Sequence, residues 1–216
     1  MFDTKTTAAD EVPFDLLPAW TPPPVIAEDK SQFEAMVESM IPGPEMASFL
    51  LAVDRDSLSG HDRVVLLKAR ARFRSWIDAE LLADIHAVSS STEEWVRTEL
   101  VDGDIHDVFY ATAAEVEAAL TLTRRAAEFQ TELADRLCRR LPNVWRALHE
   151  GLIDLARARV LADQTTHLPE DLARRVCATA LGRAPSQTTG QLRARIQKLI
   201  ITVDPSAAQD RYEQRL

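Results

Sequence analysis

The feature that most constrains this chain is the succession of helix start and stop signals between Thr112 and Leu168. Thr112 to Glu115 reads as a capping box. In that motif the hydroxyl accepts from the N–H of the glutamate, and the glutamate reaches back to the cap. The helix it opens runs to about Leu120, with Val116, Ala119 and Leu120 on one face. Thr123 is the next N-cap. Ala126, Phe129, Leu133, Leu137 and Leu141 then form one apolar stripe at three- and four-residue steps. Pro142 suits a first helical turn, where its missing N–H needs no partner. Gly151 is a left-handed residue ending that helix. Asp154 caps the next, which carries Leu155, Ala158, Val160, Leu161 and Ala162.

The same punctuation extends in both directions. Ser31 caps a short helix through Met40, and Pro42-Gly43-Pro44 separates it from a second one carrying Met46, Phe49, Leu50 and Val53. Ser59 caps the longest helix, His61 to about Val88. Its expected core side is Val64, Leu67, Ala71, Arg74 or Ser75, Asp78, Leu81, Leu82 and Ile85. Ser89 to Ser91 reads as a linker, and Ser91 with Glu94 as a further capping box ended by Asp102-Gly103-Asp104. Pro169 opens a helix that ends at Gly182, with Leu172, Val176 and Ala180 inward. Arg183 to Gly190 is a loop. Leu192, Ile196, Leu199 and Ile200 mark another helix, and Asp204-Pro205 opens a last one. With six glycines in 216 residues and few alternating β-branched runs, the composition agrees with helix throughout.

The expected fold is all-α: an irregular multi-helix bundle with one long helix and a helix-turn-helix-like unit, preceded by a flexible arm. The arm is 1–30, interrupted by Pro13, Pro18, Pro22, Pro23 and Pro24. An acidic helical part covers 31–110 and a more basic part 111–216, with 31–216 forming one domain. Residues 1–120 hold 9 Lys and Arg against 23 Asp and Glu; residues 121–216 hold 16 against 11. Phosphate contacts come from clustered Lys and Arg, so duplex DNA would meet the second half. In a helix-turn-helix the second helix reads base edges from its N-terminal end. Arg124 and Arg125 stand there, and Arg136, Arg139 and Arg140 complete the candidate DNA-binding set. Thr121 occupies the turn where glycine is usual, and Glu117 the place of a small residue. The competing reading is two ordinary core helices with solvated arginines.

Glu115-Val116 to Ala119-Leu120, Leu122-Thr123 and Ala126-Ala127 resemble an "EVAAAL-x-LS-x-x-AA" block. Leu133-Ala134 to Leu137 with Arg140-Leu141-Pro142 resembles "LA-x-x-L-x-x-RLP". Ala147-Leu148, Gly151 and Ile153 resemble "AL-x-x-G-x-I"; Gln191-Leu192-Arg193 and Asp204-Pro205 resemble a downstream "QLR…DP" block. Together these are similar to the actinobacterial domain of unknown function 222, also called the thirteen-E-twelve repeat family, over roughly 45–216. Members often carry an HNH nuclease domain behind this one, which implies a DNA-related role. This sequence ends at Leu216 without an HNH region, so no nuclease residues carry over, and a truncated copy is one expectation.

No catalytic constellation is visible. His61, His86, His106, His149 and His167 make no metal-ligand pair at three- or four-residue spacing. Six dispersed glycines form no phosphate loop. Cys138 and Cys177 read as buried thiols. The expectations are no cofactor, no metal, no membrane span or secretory signal, and a cytoplasmic location. Two functions are open: a DNA-associated accessory domain, or a protein-interaction or self-association module without nucleic-acid contact. Exposure of the five arginines on one face favours the first. Their pairing with Glu128, Glu132 and Asp135 favours the second.

Overall fold

A computed structural model describes residues 31–99 and 105–203. The N-terminal arm, the Asp102-Gly103-Asp104 stop and the helix from Asp204-Pro205 lie outside these residues. The described chain is all-α, with no strand. In order, the helices are α1 (Gln32–Ser39), α2 (Pro44–Ala52), α3 (Gly60–Glu99), α4 (Ile105–Leu120) and α5 (Arg124–Asp135). A π-helical turn, Arg136–Arg140, leads to α6 (Pro142–His149), α7 (Leu155–Thr165) and α8 (Glu170–Leu181). A short 3-10 turn, Ala184–Ser186, precedes α9 (Thr189–Val203).

Most boundaries fall where local chemistry places them. Ser31, Thr123 and Asp154 each accept from a backbone N–H in the first turn of the helix that follows. Pro44 and Pro142 open α2 and α6, and Gly151 is left-handed. Two capping boxes expected from sequence are absent. Thr112 is buried inside α4, and its hydroxyl donates to Val108 O at 2.8 Å. Ser90, Ser91 and Thr92 lie within α3 and donate to the carbonyls of His86, Ala87 and Val88. Back-bonding to the preceding turn lets these hydroxyls sit in a helix interior, so α3 continues to Glu99. Thr188 and Gln191 make a real capping box instead. The Gln191 N–H donates to the threonine hydroxyl, and the Thr188 N–H donates to Gln191 Oε1.

Two buried clusters form, and α3 belongs to both. Val65, Leu66 and Ala69 from its first half pack with Val37 of α1 and Met46 and Leu50 of α2. Ala79, Leu82 and Ile85 from its second half join the larger cluster built on α4 to α9. The helix therefore turns a different side inward in each half. That is why the expected core stripe fails at Val64, Leu67 and Leu81, which are exposed. One periodicity cannot serve a helix whose partners change side along its length. On α5 the stripe also shifts: Ala127, Thr131, Leu133 and Ala134 are buried, whereas Phe129 is exposed beneath the Arg159 guanidinium, 5.2 Å from its ring.

Gly151 shows how closely the α6–α7 loop meets α3. Its φ is +68°, and a Cβ added there would lie 2.9 Å from Arg72 Cβ and 3.0 Å from Arg72 O. Main chain thus packs on main chain, which only glycine permits. Gly151→Ala is expected to lose roughly 1–3 kcal/mol from the left-handed backbone alone, with a further loss from the displaced α3 contact. Gly190→Ala, where nothing lies within 4 Å, is expected to leave stability unchanged or slightly raised. Urea denaturation of both variants checks the contrast.

Candidate functional site

The α4–α5 unit has the connection expected of it. Leu120 ends α4, Thr121 takes a positive φ of 52°, and Thr123 caps α5 through an acceptor bond from Ala126 N at 3.3 Å. The left-handed turn is therefore made by a β-branched residue, an uncommon choice for that conformation. Arg124 and Arg125 are exposed at the N-terminal end of α5, and Arg136, Arg139 and Arg140 follow its C-terminal end. Along the axis the two groups stand about 18 Å apart, so the five candidates do not gather at one place.

Four of the five have partners within the fold. Arg124 donates from Nε to Glu128 Oε1 at 3.1 Å, and its guanidinium lies 5.6 Å from the Tyr110 ring. Arg136 pairs with Glu132 and, at 3.4 Å, with Asp163 of α7. Arg139 holds Asp135 in a two-pronged contact, Nε to Oδ1 at 2.6 Å and a terminal nitrogen to Oδ2 at 2.9 Å. Arg140 takes no carboxylate. Its guanidinium donates to the carbonyls of Thr166 at 3.0 Å, Thr165 at 3.3 Å and Leu168.

That last set answers a structural need. The final carbonyls of a helix have no intrahelical donor, and Arg140 supplies donors at the end of α7. Arg174 of α8 does the same for the π-helical turn, donating to Arg140 O at 2.9 Å and Arg139 O at 3.3 Å. The turn itself is closed by Leu141 N–H to Arg136 O at 2.8 Å. Pro142 comes next and has no N–H to offer, so the turn depends on an outside donor.

A second polar cluster was not visible in the sequence. His149 of α6 stacks on Trp145 at 4.9 Å between centroids, and its Nε2 lies 3.1 Å from both Trp76 Nε1 and Glu80 Oε1 of α3. Trp145 donates to Ala79 O at 3.0 Å. Neutral imidazole accepts from Trp76 at that nitrogen; imidazolium donates to Glu80. No spacing rule connects Trp76 with His149, and only the packing of α6 on α3 brings them together. The cluster ties two helices and presents no nucleophile. Among the described residues no group of three or more His, Cys, Asp or Glu could hold a metal ion, and no helix is long and apolar enough to cross a membrane.

The thiols are equally unlike reactive groups. Cys177 is buried and Cys138 half-buried, the latter less enclosed than expected. Burial pushes each up to about 11, with Asp135 adding to the effect at Cys138. Reactive cysteines are displaced the other way. Alkylation at neutral pH is therefore expected to be slow for both until the chain is unfolded by denaturant, as mass spectrometry of iodoacetamide-treated protein would show.

Of the known families, a model described as "Domain of unknown function (DUF222)" matches residues 77–216. No curated protein and no solved structure matches the chain.

The ties around Arg140 lead to a direct comparison. Arg140→Ala leaves the carbonyls at the end of α7 without their donors, a loss of about 1–3 kcal/mol. Arg125→Ala, at an exposed site, should change stability by less than about 0.5 kcal/mol. Thermal and urea unfolding of the two variants, compared with the parent, tests the assignment.

Proposed function

Because the chain belongs to the DUF222 family, whose function is unknown, we propose that its helical body is a non-catalytic interaction module that binds protein rather than reads DNA. The observation that carries this reading is the engagement of the candidate arginines. Arg124, Arg136 and Arg139 face Glu128, Glu132, Asp163 and Asp135, and Arg140 holds main-chain carbonyls. A guanidinium already paired with a carboxylate must break that contact before it neutralises a phosphate, and the carboxylate left beside it repels the DNA. Large apolar side chains add support: Ile41, Leu51 and Leu67 are the most exposed of the large apolar residues in the described chain. Contiguous exposed apolar patches mark interaction sites, and on α3 the exposed Val64 stands one turn from Leu67.

A second reading is a DNA-associated accessory role beside an HNH nuclease. It is favoured by the three-residue α4–α5 connection and by Arg125, exposed where the positive end of the α5 dipole would meet a phosphate.

A duplex DNA titration at two salt concentrations separates the two. For the interaction module, binding is weak or absent, and the parent and the Arg124→Ala, Arg125→Ala double variant share one salt slope. For a DNA reader, the double variant loses roughly 1–2 units of slope, because each phosphate contact contributes about 0.9. That result, with an unchanged melting temperature, would overturn the proposal.

A further inference from the structure

We propose that α3 pairs antiparallel with α3 of a second copy of this chain; this rests on the interaction-module reading and names its partner. The helix carries a seam that its own fold leaves uncovered. Leu67, Arg74, Leu81, Val88 and Trp95 recur at seven-residue steps. Leu67 is 68% exposed, Leu81 36%, Val88 39% and Trp95 54%. Val64 and Ile77 are exposed beside them. A strict seven-residue repeat drifts about 20° per heptad around a straight helix. The inward face of α3 shifts too, from Val65, Leu66 and Ala69 to Ala79, Leu82 and Ile85. The outward stripe therefore stays clear of the core along the helix. From Leu67 to Trp95 it extends about 42 Å.

Charge selects the partner and its direction. Residues 60–76 hold Arg63, Lys68, Arg70, Arg72 and Arg74 against Asp62. Residues 77–95 hold Asp78, Glu80, Asp84, Glu93 and Glu94 with no Lys or Arg. A parallel pair would set like charge on like. A two-fold antiparallel pair sets each basic half on the other copy's acidic half, and it does so twice, as an isologous interface requires. Arg63 and Lys68 on one half and Asp84 and Glu94 on the other are exposed beside the seam, and Arg74 is exposed within it. With the axis between Ile77 and Asp78, Leu67 of each copy meets Val88 of the other, and Arg74 meets Leu81. Arg74 leans toward Asp78 of its own helix at 3.9 Å, which leaves its aliphatic stem to cover the seam.

The experiment is sedimentation of the full chain with two charge-reversed variants. One carries Lys68→Glu and Arg74→Glu; the other carries Asp84→Lys and Glu94→Lys. The parent should sediment at twice its 24.1 kDa chain mass. Each variant alone should be monomeric, because the exposed charges reversed along the seam then carry the same sign as those on the other half. Mixing the two should restore the doubled mass. Circular dichroism shows whether the variants fold, and Leu67→Gln, at an exposed site, should weaken the pairing should they not. A parent that is monomeric at high micromolar concentration overturns the pairing, whatever else covers the seam. Variants that still self-associate, or a mixture that does not recombine, overturn it as well. The DNA titration reads a different helix, so a monomer indifferent to DNA removes the pairing and leaves the module reading standing.

Discussion

The contact at Arg72 joins the two halves of this molecule. Its main chain receives Gly151 from the α6–α7 loop at a separation that admits no side chain. Its guanidinium reaches the other way, donating to Met40 O at 2.8 Å and Val37 O at 3.3 Å at the end of α1. One residue of α3 thus touches the larger cluster through its backbone and the smaller cluster through its side chain. The two cores share no other helix, so the fit of α1 and α2 to the rest is set along α3. A left-handed glycine on one side and an arginine on helix-end carbonyls on the other together fix that fit.

The same use of arginine recurs through the fold. Arg70 donates to Leu50 O, Arg157 to Gln187 O, Arg140 to the end of α7, and Arg174 to the π-helical turn. Each meets carbonyls that a short helix or a turn leaves without partners. A chain built from many short helices has many such ends, and a long side chain with five donors reaches them from a neighbouring element. The basic surplus of the second half is therefore partly structural. Counted in sequence it resembles a nucleic-acid footprint; in the fold it is directed at main chain and at Glu128, Glu132, Asp135 and Asp163.

Both π-helix and polar clusters lie where elements meet. The turn Arg136–Arg140 allows α5 to run into α6 across Pro142, and the Trp76–His149–Glu80 contact holds α6 against α3. Neither carries the groups of a reaction centre. Exposed large apolar side chains remain along α3, at Val64, Leu67, Ile77, Leu81, Val88 and Trp95.

The sequence by itself determined the all-helical class, the family resemblance and most helix limits, because those depend on residues close in the chain. Ser31, Thr123, Asp154, Pro142 and Gly151 act within one turn of themselves, so their chemistry reads the same before and after folding. Thr112 and Ser91 were misread because a hydroxyl bonds equally well forward, as a cap, or back, inside a helix; which occurs depends on where the preceding turn begins. The inward faces of α3 and α5 and the partners of the arginines were decided only by the tertiary structure. Periodicity shows that a helix has an apolar side but not which neighbour takes it. On α3 the expected core side holds at Ser75, Leu82 and Ile85 but is outside at Val64, Leu67 and Leu81, since the helices packing on its first half bury Val65, Leu66 and Ala69 instead. A guanidinium likewise shows a charge but not its partner: Arg140 meets carbonyls 25 to 28 residues away, a distance over which sequence spacing carries no information.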